Sequence, residues 1–124
     1  MSKLQRSLWG RNVELEIVYD CYDGEEVLPS QEEAFSLIET NWNTLEDALI
    51  SLTDYLTTHD SDKFDEKITN IFKYIIPRTL FIKRANKDRM VALMCDYRFD
   101  PEEGIALLFV NERLSLIGPQ SKIL

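Results

Sequence analysis

The chain has two cysteines and one histidine in 124 residues. That scarcity excludes most soft-metal and nucleophilic chemistry. A zinc site wants close pairs of cysteine or histidine, whereas Cys21 and Cys95 lie far apart with no Cys-x-x-Cys. A Cys-His or Ser-His catalytic pair would have to use His59. That residue stands in Thr57-Thr58-His59-Asp60-Ser61, a polar connection that reads as an exposed turn. Phosphate-binding loops are missing too, with no Gly-x-Gly-x-x-Gly and no Walker lysine. No apolar run approaches the roughly 20 residues of a membrane-spanning helix. The first residues, MSKLQRSLWGRNVELE, contain no apolar stretch of signal-peptide length. The expected location is therefore the cytoplasm, and the two cysteines read as reduced, half-buried thiols in strand contexts.

Positive charge is the other shortage, and it is local. Residues 14–66 carry sixteen acids against the single base Lys63, whereas residues 1–13 carry three bases and no acid. Residues 67–124 carry ten bases and six acids, and the whole chain sums to −8. An acidic middle repels phosphate backbones, so neither nucleic acid nor membrane is an expected partner. It would attract a basic protein surface and speed the encounter.

What is present reads as one domain, residues 1–124, with 44% hydrophobic and 29% charged residues. The four prolines and four glycines fall between periodic segments. In residues 13–20, Val13, Leu15, Ile17 and Tyr19 share one face and Glu14, Glu16 and Asp20 the other, the period of a half-buried strand. A turn at Gly10-Arg11-Asn12 would pair it with a strand over residues 3–9. Ser30-Gln31-Glu32-Glu33 has capping-box spacing and opens a helix that buries Ala34, Phe35, Ile38 and Trp42. A second helix from Thr44 places Leu45, Ala48, Leu49, Leu52 and Tyr55, with Leu56, at helical spacing. A third, capped by Ser61 or Asp62, would bury Phe64, Ile68, Ile71, Phe72 and Ile75 and stop at Pro77. From Thr79 the period returns to two: residues 80–84, a turn at Asn86-Lys87-Asp88, residues 89–99, a loop at Asp100-Pro101-Glu102-Glu103-Gly104, residues 105–110, and residues 113–117. The order ββαααββββ predicts an α+β fold, a mainly antiparallel sheet with about three helices packed on one face.

Three clusters bear on function. Asp20, Asp23, Glu25 and Glu26 flank Gly24, but Asp-x-x-Asp-Gly is not the EF-hand order, so no metal is expected and the stretch reads as a solvated acidic loop. Lys83, Arg84, Lys87 and Arg89 bracket one turn and read as protection of a sheet edge. Asp96 and Arg98 share a strand face beside Met94, with Arg78 and Arg113 in nearby strand contexts. If helices leave that face open, it carries mixed charge and offers a site for a partner or a small ligand; the plainer reading is a cross-strand ion pair on a wetted face.

Four segments are similar to a family of small bacterial proteins of unknown function. They are residues 19–34 (YDCYDGEEVLPSQEEA), 71–77 (IFKYIIP), 91–101 (VALMCDYRFDP) and 116–120 (LIGPQ). The resemblance spans nearly the whole chain and implies a single domain, with no activity and no catalytic residue attached. By analogy of type it also resembles the immunity proteins of polymorphic toxin systems.

The expected function is a cytoplasmic, acidic protein-binding module without enzymatic activity or cofactor, in the form of an immunity protein that binds and blocks a basic, nuclease-like toxin domain. Asp20, Asp23, Glu25, Glu26, Glu39, Glu46, Asp47 and Asp54 are the expected partner-binding residues. The alternative is a small ligand-binding regulator or enzyme using the sheet face around Asp96 and Arg98, or a homodimer through that face with no ligand.

Overall fold

The computed structural model describes residues 2–85 and 87–123. Six strands form one sheet in sequence order: β1 (Ser2–Leu8), β2 (Arg11–Tyr19), β3 (Ile75–Ile82), β4 (Met90–Tyr97), β5 (Ile105–Val110) and β6 (Arg113–Gly118). Helices α1 (Pro29–Thr40) and α2 (Asn43–His59) connect β2 to β3, and a single turn, α3 (Gln120–Ile123), ends the described chain. Every neighbouring pair is antiparallel except β2–β3, which is parallel because the two-helix crossover returns the chain to the same end of the sheet. The fold is α+β, with α1 and α2 covering one face.

The turns explain the register. Trp9 and Gly10 both take positive φ, +54° and +85°, as a two-residue hairpin loop requires. The hairpin is docked through its turn. The Trp9 indole donates to the Leu45 carbonyl at 2.9 Å, and the Trp42 indole donates to the Ser7 carbonyl at 2.9 Å. The β5–β6 turn uses Asn111 and Glu112, again with positive φ. Arg89 holds Glu112 there with two hydrogen bonds, 2.8 and 3.0 Å.

The main core lies between the sheet and the two helices. Leu15, Ile17, Leu80, Leu93 and Leu107 face Ile38, Leu45, Leu52 and Leu56, all buried. A smaller cluster occupies the other face, where Ile123 of α3 packs against Ala92 and Ala106. The C-terminal turn therefore covers part of a face that α1 and α2 leave open.

Three expectations need correction. Residues 61–75 do not form a helix; they contain two single turns of 3-10 helix, Ser61–Lys63 and Ile71–Lys73, so the third helix of the α+β fold is α3. The apolar spacing was helical, but Ile68, Thr69 and Ile71 are β-branched, and the Asn70 side chain captures the Phe72 amide at 3.1 Å. Helix α1 is capped two residues earlier than the Ser30 reading, at Leu28. Pro29 is its first residue, and the buried Gln31 reaches back to the Leu28 amide at 2.9 Å. The basic turn does not guard an edge, because β3 and β4 are interior strands. Of that expected turn, Asn86 lies outside the described residues.

Candidate functional site

The acidic loop after β2 is tied to the sheet by the bases that follow β3. Asp20 accepts from the Arg84 amide at 3.4 Å, and Glu25 pairs with the Arg84 guanidinium at 3.5 Å. Arg84 also donates to the Glu26 carbonyl at 3.0 Å and to the Cys21 sulfur at 3.5 Å. Glu25 in turn accepts from the Tyr22 amide at 2.8 Å. Beneath the loop, the Gln31 amide donates to the carbonyls of Asp20 and Ile82, at 3.1 and 3.2 Å. Of the residues that looked most like a metal loop, Asp20 and Glu25 are thus engaged through their carboxylates and Glu26 through its carbonyl. Among the described residues, no three His, Cys, Asp or Glu side chains gather as a metal-holding group.

The remaining expected partner-binding acids occupy two flanks of the helical layer. Glu39 lies on the β1–β2 side, its carbonyl accepting from Arg6 at 2.9 Å, and Glu46 accepts from the Trp9 amide at 3.2 Å. Glu39 shares its surroundings with Glu32: burial, then these two carboxylates, push the Tyr19 hydroxyl up from its ordinary pKa. Asp47 and Asp54 are exposed along α2 and line separate hollows toward β6, the first beside Arg113, the second beside His59 and Leu116. The structure therefore brings Asp20, Asp23, Glu25 and Glu26 together in one loop, and it sets Glu39 and Glu46 apart from Asp47 and Asp54.

Two residues outside the expected set stand out. Tyr22 is 78% exposed within the acidic loop, and Ile50 is 77% exposed on α2. Ile50 lies three residues after Asp47 and four before Asp54, so all three share one helical ridge. The signal was in the sequence: Ile50 falls off the stripe of Leu45, Ala48, Leu49 and Leu52, an apolar side chain on a polar face.

The Asp96–Arg98 face holds both arrangements foreseen for it. Asp96 pairs with Arg78 across β3–β4 at 2.7 Å. Beside that pair lies a cavity of about 410 Å³ lined by Phe72, Lys73, Ile76, Asp96, Tyr97 and Arg98. The Tyr97 hydroxyl donates to Asp60 at 2.7 Å. Burial first, and that bond second, raise its pKa well above the ordinary tyrosine value. Arg113 is not part of this face; it pairs with Val110 at the opposite end of β5 and β6. His59 ends α2, stacked on Tyr55 with ring centroids 4.0 Å apart, its Nδ1 3.0 Å from the Tyr55 carbonyl. Neither cysteine is in a disulfide. Cys21 is half-buried, but Cys95 is fully buried and its thiol is pushed far up by burial.

Residues 2–124 match the family described as Domain of unknown function (DUF6985). The chain belongs to this family. No curated protein and no solved structure gives a significant match. The family-like segments of the sequence now have physical places. Residues 19–34 are the Arg84-bound loop and the Gln31 cap, residues 71–77 and 91–101 together contribute the lining of the Asp96 cavity, and residues 116–120 carry β6 into α3.

Proposed function

We propose that this protein is an acidic protein-binding module that recognises a basic protein surface, and that its specific form is an immunity protein masking a basic, nuclease-like toxin domain in the cytoplasm. One observation carries the reading. The two most exposed large apolar side chains among the described residues, Tyr22 and Ile50, both stand among carboxylates in a span with no lysine or arginine between Arg11 and Lys63. Protein interfaces commonly centre on a few apolar or aromatic anchors within a polar rim. Here the rim is anionic: Asp23 and Glu26 around Tyr22, and Asp47 and Asp54 around Ile50. The carboxylates take the place of the phosphates a nuclease grips, and the anchors supply the desolvated contact. No side chain of this protein carries out chemistry in that scheme.

The test pairs this protein with a basic, nuclease-like toxin domain. Association measured by stopped flow is expected to slow at least tenfold between low and high salt, as charge-steered encounters do. Ile50→Ala and Tyr22→Ala are expected to weaken the complex by about 1–3 kcal/mol each, mainly through faster dissociation. Association equally fast at both salt concentrations overturns the mechanism.

A second reading, a small ligand-binding regulator or enzyme, is favoured by the 410 Å³ cavity beside Asp96 and Arg98, a volume within the usual range for ligand sites. Homodimerisation through the same face, without a ligand, remains its third form and is read by sedimentation across concentrations.

A further inference from the structure

Between β2 and β3 the sheet forks. The two strands pair over residues 16–19 and 79–82. Toward their starts, residues 11–15 stay with β1 and residues 75–77 stay with β4, and no backbone hydrogen bond among the described residues joins the two branches. The cause lies in β3. Pro77 has no N–H to give to a ladder, and the register with β4 shifts between Pro77 and Thr79, which bends the strand at Arg78.

The fork opens into a cavity of about 310 Å³ lined by residues 11–14 of β2, residues 76–78 of β3 and Phe72. Successive strand residues point to opposite faces. A cavity touched by four in a row on one strand and three in a row on the other therefore lies in the plane of the sheet, between two strand edges. It adjoins the cavity beside Asp96, with which it shares Phe72 and Ile76. Ile76, 43% exposed, forms the apolar ridge between them.

The charge of this double groove is opposite to that of the molecule. Arg11 and Arg78 line one half, Lys73 and Arg98 the other. The two acids present are already neutralised, Glu14 by Lys3 at 3.1 Å and Asp96 by Arg78 at 2.7 Å. Arg11 is held in place by stacking over Phe72, 4.8 Å from the ring centroid.

We propose that the fork is a docking site for an extended acidic peptide segment of a partner protein. An in-plane gap between strand edges is satisfied by another extended backbone, which adds hydrogen bonds along its length. The segment is about three to four residues long, to match residues 11–14 at roughly 3.3 Å per residue. Its carboxylates meet Arg11, Lys73 and Arg98, and an apolar residue between them rests on Ile76. The site uses none of the residues of the acidic surface and gives the cavity of the second reading a different occupant, so the three readings fail separately.

Fluorescence anisotropy with the full chain tests it, using a labelled peptide of sequence Asp-Val-Glu-Ile-Asp-Val. Two control peptides need no change to the protein: one with Asn and Gln in place of the acids, and one N-methylated at alternate amides. Each is expected to bind at least tenfold more weakly. Arg11→Gln and Arg98→Gln are expected to weaken the acidic peptide at least threefold each while leaving the circular dichroism spectrum unchanged. Equal binding of the N-methylated peptide overturns strand pairing, and equal binding of the amide peptide overturns the acidic specificity. Displacement of the peptide by low-millimolar inorganic phosphate would make the groove a small-anion site and overturn the proposal. So would a dimer, seen by sedimentation, that the peptide dissociates, because the occupant would then be a second copy.

Discussion

The loop after β2 and the outer ridge of α2 are both acidic in sequence and differ in what their acids do. In the loop, Asp20 and Glu25 are bound by Arg84 or by backbone amides, and Gln31 locks the loop from below. On α2, Asp47 and Asp54 have no ion pair or side-chain hydrogen bond among the described contacts and flank an exposed isoleucine. Acidity alone therefore does not mark a recognition surface. A carboxylate that accepts an amide is engaged in holding a turn, whereas one beside an exposed apolar group is available to another molecule.

The contrast can be broken most severely at Gln31. Gln31→Ala leaves the Leu28 amide and the Asp20 carbonyl without their partner and removes one of the two donors to the Ile82 carbonyl. Such a loss is expected to cost about 2–4 kcal/mol, read from urea unfolding. Next comes Asp60, the acid that closes α2 and accepts from Tyr97. The Tyr97 pKa is raised above the ordinary value of 10.0, so the folded state holds that proton more tightly than the unfolded chain. Its contribution is fully present below about pH 10 and falls as pH rises beyond that. Thermal midpoints of the native protein should drop more steeply above pH 10 than those of Tyr97→Phe. Arg84→Ala frees the loop acids and is expected to cost about 1–2 kcal/mol by the same urea measurement. Asp47→Asn with Asp54→Asn should change stability by less than about 0.5 kcal/mol, as surface changes do, while slowing association with a basic partner. If the Arg84 and Asp47/Asp54 variants change stability equally, the division between engaged and available carboxylates fails.

Much of this architecture was legible in the sequence. The alternation of Val13, Leu15 and Ile17 and the stripes of α1 and α2 each repeat one period long enough to decide an element, and the apolar run of β5 is short and bounded by turn residues. The span 61–75 did not, because its apolar spacing fitted a helix while its β-branched residues and Asn70 favoured short turns. The parallel pairing of β2 with β3 is a long-range choice with no local mark. The fork depends on that pairing together with Pro77, which in sequence looked like the end of a helix. Asp96 was found from the alternation of its strand, although that strand ends at Tyr97, one residue before Arg98; Arg11 and Lys73 were not, because only the fork brings them beside it.

Both tryptophans of the chain sit at a single junction, where the β1–β2 turn meets the start of α2, each with its indole N–H given to a carbonyl of the opposite element. Intrinsic emission therefore reports the seating of the N-terminal hairpin on the helical layer and little else. A spectral red shift that precedes the loss of helical dichroism during denaturation would mean that the hairpin comes away first, exposing the underside of α2 while the rest of the sheet still stands.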